Sequence, residues 1–160
     1  MVVGPGTGLD DEGVRHKVEV VRSALALHAE VVASGDGRAI LAALGGLEIA
    51  AMAGAMLRAA ELRLPVIVDG FISTAAALVA TRIDGGVAHC LFLATKSAEK
   101  GQSPAISALQ DAGVCAAPAL DMQLRLGEGT GAVLCFPILR AAAQVATSMI
   151  SLESALALPL

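Results

Sequence analysis

The sequence has no tryptophan and no tyrosine, and its 2% aromatic content is phenylalanine alone. A module that stacks bases on rings is disfavoured on that ground, as is a tyrosine-based catalyst. Positive charge is also scarce: 11 Lys and Arg face 15 Asp and Glu, for a net charge of −4. No basic footprint for a nucleic-acid backbone exists, so nucleic acid is not an expected partner. Only 16% of residues are charged against 56% hydrophobic. Charges nevertheless punctuate the apolar stretches, and no uncharged run reaches the ~18 residues of a membrane span. No membrane partner is therefore expected. No charged region followed by a long apolar one marks the N-terminus as a secretory signal. Cys90, Cys115 and Cys135 lack the paired spacing of a metal site and read as buried free thiols in a reducing cytoplasm. His16, His28 and His89 are too dispersed for a metal cluster, and no Ser lies in a nucleophile-elbow pattern. The expectation is a soluble, acidic, cytoplasmic chain with no metal site.

What is present is Ala, Leu and Val in two alternating periods. Val2 to Gly8 reads as a strand ending in a Gly-rich loop. Asp10 or Asp11 can cap a helix whose apolar positions Val14, Val18, Val21, Leu25 and Val32 recur at helical spacing. Ser34 to Gly37 breaks the pattern, and Asp36 caps a short helix through Leu44. A third helix spans Leu47 to Arg63. Val66 to Val68 is β-branched and fits a buried parallel strand. The spacing predicts a helix over Ile72 to Thr81, a strand over His89 to Ala94, a polar loop over Thr95 to Gly101, and a helix over Pro104 to Ala112. A brief strand over Ala117 to Leu120 and a last helix to about Ile150, kinked at Pro137, complete the reading. This alternation indicates an α/β fold, a parallel sheet flanked by helices. Residues 151–160 form a tail or a short terminal helix.

Ligands of open parallel sheets bind beyond the carboxyl ends of the strands. Four loops fall there: Gly4 to Gly8, Asp69 to Thr74, Thr95 to Gly101, and Gly127 to Gly131. In the last, glycines flank Glu128 at a helix start. A carboxylate buried there in an apolar cleft would have its pKa raised towards that of a general base, or it simply caps the helix. Gly4 and Gly6 offer backbone N–H groups to a phosphate, with Lys17 as a point charge; an ordinary turn and a solvated lysine are the alternative. Asp69 binds a ribose hydroxyl or holds neighbouring loops through backbone N–H groups. Ser97 and Glu99 contact a ligand or belong to a solvated loop.

The segments GTGLDDEGVRHKVEVV, ALGGLEIAAMAGAML, LPVIVDGFISTAAAL, SAEKG and LRLGEGTGA occur in this order. Together they resemble the C-terminal half of nicotinate-nucleotide–dimethylbenzimidazole phosphoribosyltransferases, from Val2 to about Ile150. The resemblance implies a Rossmann-like parallel sheet with C-terminal helices of a small helical subdomain, here only part of the family's fold. It implies transfer of phosphoribose from nicotinate mononucleotide to 5,6-dimethylbenzimidazole, giving α-ribazole 5′-phosphate and nicotinate, for the lower ligand of cobalamin, with no metal or bound cofactor required. By the same resemblance Glu128 is the general base and Leu126, beside Gly127, packs on the benzimidazole. Lys17 lies near the 5′-phosphate, Gly4 and Gly6 flank the nucleotide, Asp69 and Gly70 line the site, and Ser97 and Ala98 touch the nicotinate side. Thr95 and Gln102 stand where many members have His. The family's N-terminal half carries a glycine-rich phosphate loop and much of the benzimidazole pocket, and residues 1–11 do not substitute for it. A homo-oligomer or a complementing N-terminal half is the expected partner. The alternative is a non-catalytic fragment with a structural or weak nucleotide-binding role.

Overall fold

A computed structural model describes residues 2–6, 8–114, 117–124 and 126–157, apart from the side chain of Gln123. Helix α1, Asp11–Leu27, starts where Asp10 Oδ1 accepts the Gly13 N–H at 2.8 Å. It stops at His28, and α2, Ala29–Ser34, begins at once. The helical period expected to continue through Val32 is thus cut in two. Only Val18 of α1 is buried, whereas Val21, Leu25 and Val32 of the expected apolar face are exposed. Gly35, at φ 69°, turns the chain, and Asp36 accepts from the N–H groups of Arg38 and Ala39 to open α3, Gly37–Leu44. Helix α4, Leu47–Glu61, follows the Gly45-Gly46 break.

Strand β1, Val66–Val68, leads into α5, Phe71–Ile83. A 3-10 helix, Gly85–Cys90, takes up His89 and Cys90, so strand β2 is shorter than expected, Leu91–Leu93. The stretch expected as a polar loop contains strand β3, Thr95–Ser97. It is ordered by pairing with β4, Leu120–Leu124, a partner that local sequence does not reveal. Between them α6 spans Gln102–Asp111, starting two residues before Pro104, which lies in its first turn. Helix α7, Thr130–Ser148, continues through Pro137, and α8 covers Leu152–Leu156. No strand occurs among the described residues before α1; Gly4, Pro5 and Gly6 disfavour one, and an isolated strand has no ladder to join. Cys115, Thr7, Arg125 and the tail residues 158–160 lie outside the described residues.

Both strand pairs are parallel: β1 with β2, in the register Val66 to Leu91, and β3 with β4, in the register Thr95 to Leu120. Ala94 joins the pairs. Its N–H donates to Val68 at 2.8 Å, and its carbonyl accepts from Leu120 at 2.9 Å. The segment Leu91 to Ser97 therefore lies between β1 and β4, and the carboxyl ends of all three point the same way.

The core contains Ala53 and Met56 of α4, Val68, Ala76, Ala77 and Ala80 of α5, Val87, Leu91, Leu93 and Leu109. The buried alanines let α5 approach α4 and α6 closely. Helix α7 touches β1, β3 and β4 through its first turns, burying Gly131 and Cys135. From Arg140 to Ala157 every residue is exposed. Its 19 residues make α7 the one described helix long and apolar enough to cross a membrane by length and composition, even though Arg140 interrupts the uncharged run.

Candidate functional site

The loop after β1 meets the start of α7, and the loop after β3 meets the N-terminal segment, at the carboxyl ends of the strands. Asp69, directly after β1, sends Oδ1 to the backbone N–H of Ala132, 2.9 Å away in the first turn of α7. Gly129, the N-cap of that helix, has no side chain to do so. Gly131 makes the approach feasible, because a Cβ there would lie 2.5 Å from Thr95 Cγ2 and 2.9 Å from Asp69 Oδ1. Of the two roles open to Asp69, holding neighbouring loops is the one this carboxylate oxygen performs.

Gly70 is fastened from α5. Its N–H donates to Ser73 Oγ at 3.0 Å, and its carbonyl accepts from Thr74 Oγ1 at 2.7 Å. Gln102, only 2% exposed, connects this turn to β3. Its Nε2 donates to Thr74 Oγ1 at 3.3 Å and to the Thr95 carbonyl at 3.0 Å, while Oε1 accepts the Ser97 N–H. Two of these three hydrogen bonds hold the segment that carries Ser97 and Ala98, and the third ties it to α5. Ser97 Oγ in turn accepts the Glu99 N–H at 3.1 Å. Gly101 lies against the ring of Phe71, which occupies the space a Cβ would need. Ser97, Ala98 and Glu99 are all half-buried, so this is a built turn and not a freely solvated loop.

The N-terminal segment closes over that turn. Gly4 is buried, and a Cβ there would lie 3.3 Å from Glu99 Oε2. Lys17 Nζ donates to the Gly4 carbonyl at 3.3 Å and comes near Gly6, whose φ is 56°. Lys17, Gly4, Gly6 and Glu99 are thus one cluster, joined to Asp69 and Gly70 through Ser97 and Gln102.

Glu128 and Leu126 differ from these. Both are exposed, Leu126 at 71%, and Glu128 has no hydrogen-bond or ion-pair partner among the described residues. The capping role is therefore not taken by Glu128, and the burial expected of a general base is not supplied by this chain. Its backbone is unusual instead. Gly127, Glu128 and Gly129 have φ of 67°, 57° and 77°, three successive left-handed residues. That conformation costs an L side chain roughly 1–2 kcal/mol, and glutamate is the only one of the three to bear it.

The sequence pointed to each loop but not to Gln102, Thr74 or Gly131 as the groups that fix their arrangement. A buried Gln at the start of a helix has no sequence signature of its own. Among the described residues no group of His, Cys, Asp and Glu side chains could hold a metal ion.

Comparison with known proteins extends these observations. A family model described as phosphoribosyltransferase matches residues 1–156. The chain is 49% identical over 154 residues to a nicotinate-nucleotide–dimethylbenzimidazole phosphoribosyltransferase of Solidesulfovibrio magneticus, covering 96% of this chain and 42% of that protein. A protein of the same description from Xanthomonas oryzae is 46% identical with the same coverage. A crystal structure of the Thermus thermophilus protein of that description superposes with a TM-score of 0.82 at 39% identity, covering 99% of this chain and 44% of that one. The chain thus spans about two fifths of the length of the curated relatives it matches, and its fold corresponds to part of theirs.

Proposed function

Because the chain belongs to the phosphoribosyltransferase family, we propose that it is the base-bearing portion of an enzyme that moves phosphoribose from nicotinate mononucleotide to 5,6-dimethylbenzimidazole. The products are α-ribazole 5′-phosphate and nicotinate. The observation that carries this reading is Glu128, held left-handed between two glycines and without a partner among the described residues, in the turn after β4. Strain kept at a non-glycine position is a mark of function more than of folding.

In this reading the Glu128 carboxylate takes the ring N–H proton of the benzimidazole. The freed nitrogen lone pair attacks the anomeric carbon of the ribose. The bond from that carbon to the pyridinium nitrogen breaks, and its electron pair leaves with nicotinate. General-base assistance of this kind is typically worth about 10²–10⁴-fold. Leu126 and Gly127 border the acceptor ring; Lys17, Gly4 and Gly6 attend the phosphate; Asp69 and Gly70 support the ribose side, and Ser97 and Ala98 the nicotinate side. Residues 1–150 form this portion, and residues 151–160 a terminal extension.

The exposure of Leu126 and Glu128 supports a second statement, that the chain alone binds substrate weakly and does not turn over. Its partner is then an N-terminal half or a second copy. The test mixes this chain with the N-terminal portion of a relative and follows α-ribazole phosphate by chromatography. Product is expected from the mixture, none from the chain alone, and most of it lost with Glu128→Gln. A complemented Glu128→Gln protein as fast as the parent would overturn the assignment of the base.

A further inference from the structure

At the other end of the strands from this site, a cavity of about 420 Å³ opens beside the amino ends of β1 and β2. Leu64 and Pro65 enter β1 there, His89 and Cys90 enter β2, and Arg63 and Phe92 complete the wall. The volume falls in the range of small-molecule pockets. None of the lining residues is acidic.

Arg63 is the unusual member. Helix α4 ends with the Leu64 N–H on the Ala59 carbonyl at 2.8 Å and the Arg63 N–H on the Ala60 carbonyl at 3.0 Å. This bonding pattern places residue 63 in the left-handed position that glycine usually fills, and Arg63 occupies it at φ 55°. A long cationic side chain thus replaces glycine at a conformational cost, at the rim of a cavity. It has no ion-pair partner among the described residues, because the nearby Glu61 pairs with Arg58. Cys90 Sγ donates to the Val87 carbonyl, and burial raises its pKa, so the thiol brings no negative charge. The cavity therefore joins one unpaired guanidinium and an imidazole to the apolar surfaces of Leu64, Pro65 and Phe92.

We propose that this cavity is a second binding site, for a small organic carboxylate with an apolar body. The Arg63 guanidinium pairs with the carboxylate, for which its planar fork is matched. The body rests against Leu64, Pro65 and Phe92, with His89 as a further polar contact. The site is distinct from the carboxyl-end cluster and does not depend on the reaction proposed there.

Benzoate is the probe, titrated into isotope-labelled chain while backbone amide resonances are followed. Saturable shifts are expected at Leu64, Gly86, His89 and Cys90. Benzamide, equal in shape but uncharged, should bind about tenfold more weakly or worse. Arg63→Gly removes the guanidinium and installs the residue this backbone favours, so it folds at least as well as the parent; it should lose about tenfold in benzoate affinity. Phe92→Ala, at a partly exposed position, should also weaken benzoate. Shifts confined to Asp69, Gly70 and Ser97, equal binding of benzamide, or full benzoate affinity in Arg63→Gly would each overturn the proposal.

Discussion

Asp69 and Ala132 are 63 residues apart in sequence and 2.9 Å apart in space, the carboxylate of one accepting the backbone N–H of the other. Helix α7 begins with glycine and has no side-chain cap of its own, so the loop after β1 caps it from a distance. One hydrogen bond thereby fixes the turn bearing Glu128 against the turn bearing Gly70. Asp69→Ala should lower stability by about 0.5–2 kcal/mol, the usual cost of losing a helix cap. Asp69→Asn, which keeps an acceptor, should lose less. Urea unfolding measures both, and an unchanged midpoint in Asp69→Ala would show the contact to be idle.

Glu128→Gly should raise stability by about 1 kcal/mol, since glycine adopts the left-handed backbone without steric cost. Glu128→Gln should leave stability near that of the parent. Thermal unfolding of the two variants separates strain from chemistry. A destabilised Glu128→Gly chain would mean that the side chain holds the turn together.

Gly131→Ala forces a methyl to within 2.5 Å of Thr95 Cγ2. A loss of about 1–3 kcal/mol is expected from overpacking. Thr95→Ser removes the opposing methyl, so the double variant should recover part of that loss. A double-mutant cycle in chemical denaturation checks the coupling; strict additivity would deny the contact.

Gln102→Leu removes the acceptor of the Ser97 N–H and the donor to the Thr95 carbonyl in a buried site. Each unpaired group of this kind costs about 1–3 kcal/mol. Hydrogen exchange at the Ser97 amide should quicken more than at the Ala94 amide, whose bond to Val68 is untouched. Equal acceleration at both would point to global loosening.

Cys90 gives the pH dependence. Burial raises its pKa above the ordinary thiol value, so the folded chain holds the proton more tightly than the unfolded one. Its contribution to stability is therefore complete below the ordinary thiol pKa and is lost as pH rises through the higher folded value. Alkylation of Cys90 by iodoacetamide, mapped by mass spectrometry, should need a higher pH in the folded chain than in urea. Matching pH profiles would refute the shift.

The local signals are strong where the cause is local. Asp10 and Asp36 cap the helices they precede because each carboxylate reaches N–H groups two or three residues on. The β-branched run Val66 to Val68 is a parallel strand, and Gly127 to Gly129 a tight turn before helix α7. Thr95 to Ser97 was illegible for the opposite reason. Its residues are polar, and only pairing with Leu120–Leu124 makes them a strand.

By itself the sequence determined most of the helical segments, the parallel class of the strands and the four loops that bear Gly4, Asp69, Glu99 and Glu128. It did so because caps, period and strand direction depend on neighbours along the chain. Tertiary structure alone decided that Asp69 caps α7, that Gln102 ties the first turn of α5 to β3, and that Arg63 stands at a cavity mouth. Each of these joins groups distant in sequence or sets a backbone angle from outside the local pattern. A buried amide or a carboxylate is satisfied by whatever donor the packed fold brings to it, and no spacing along the chain records which one that is.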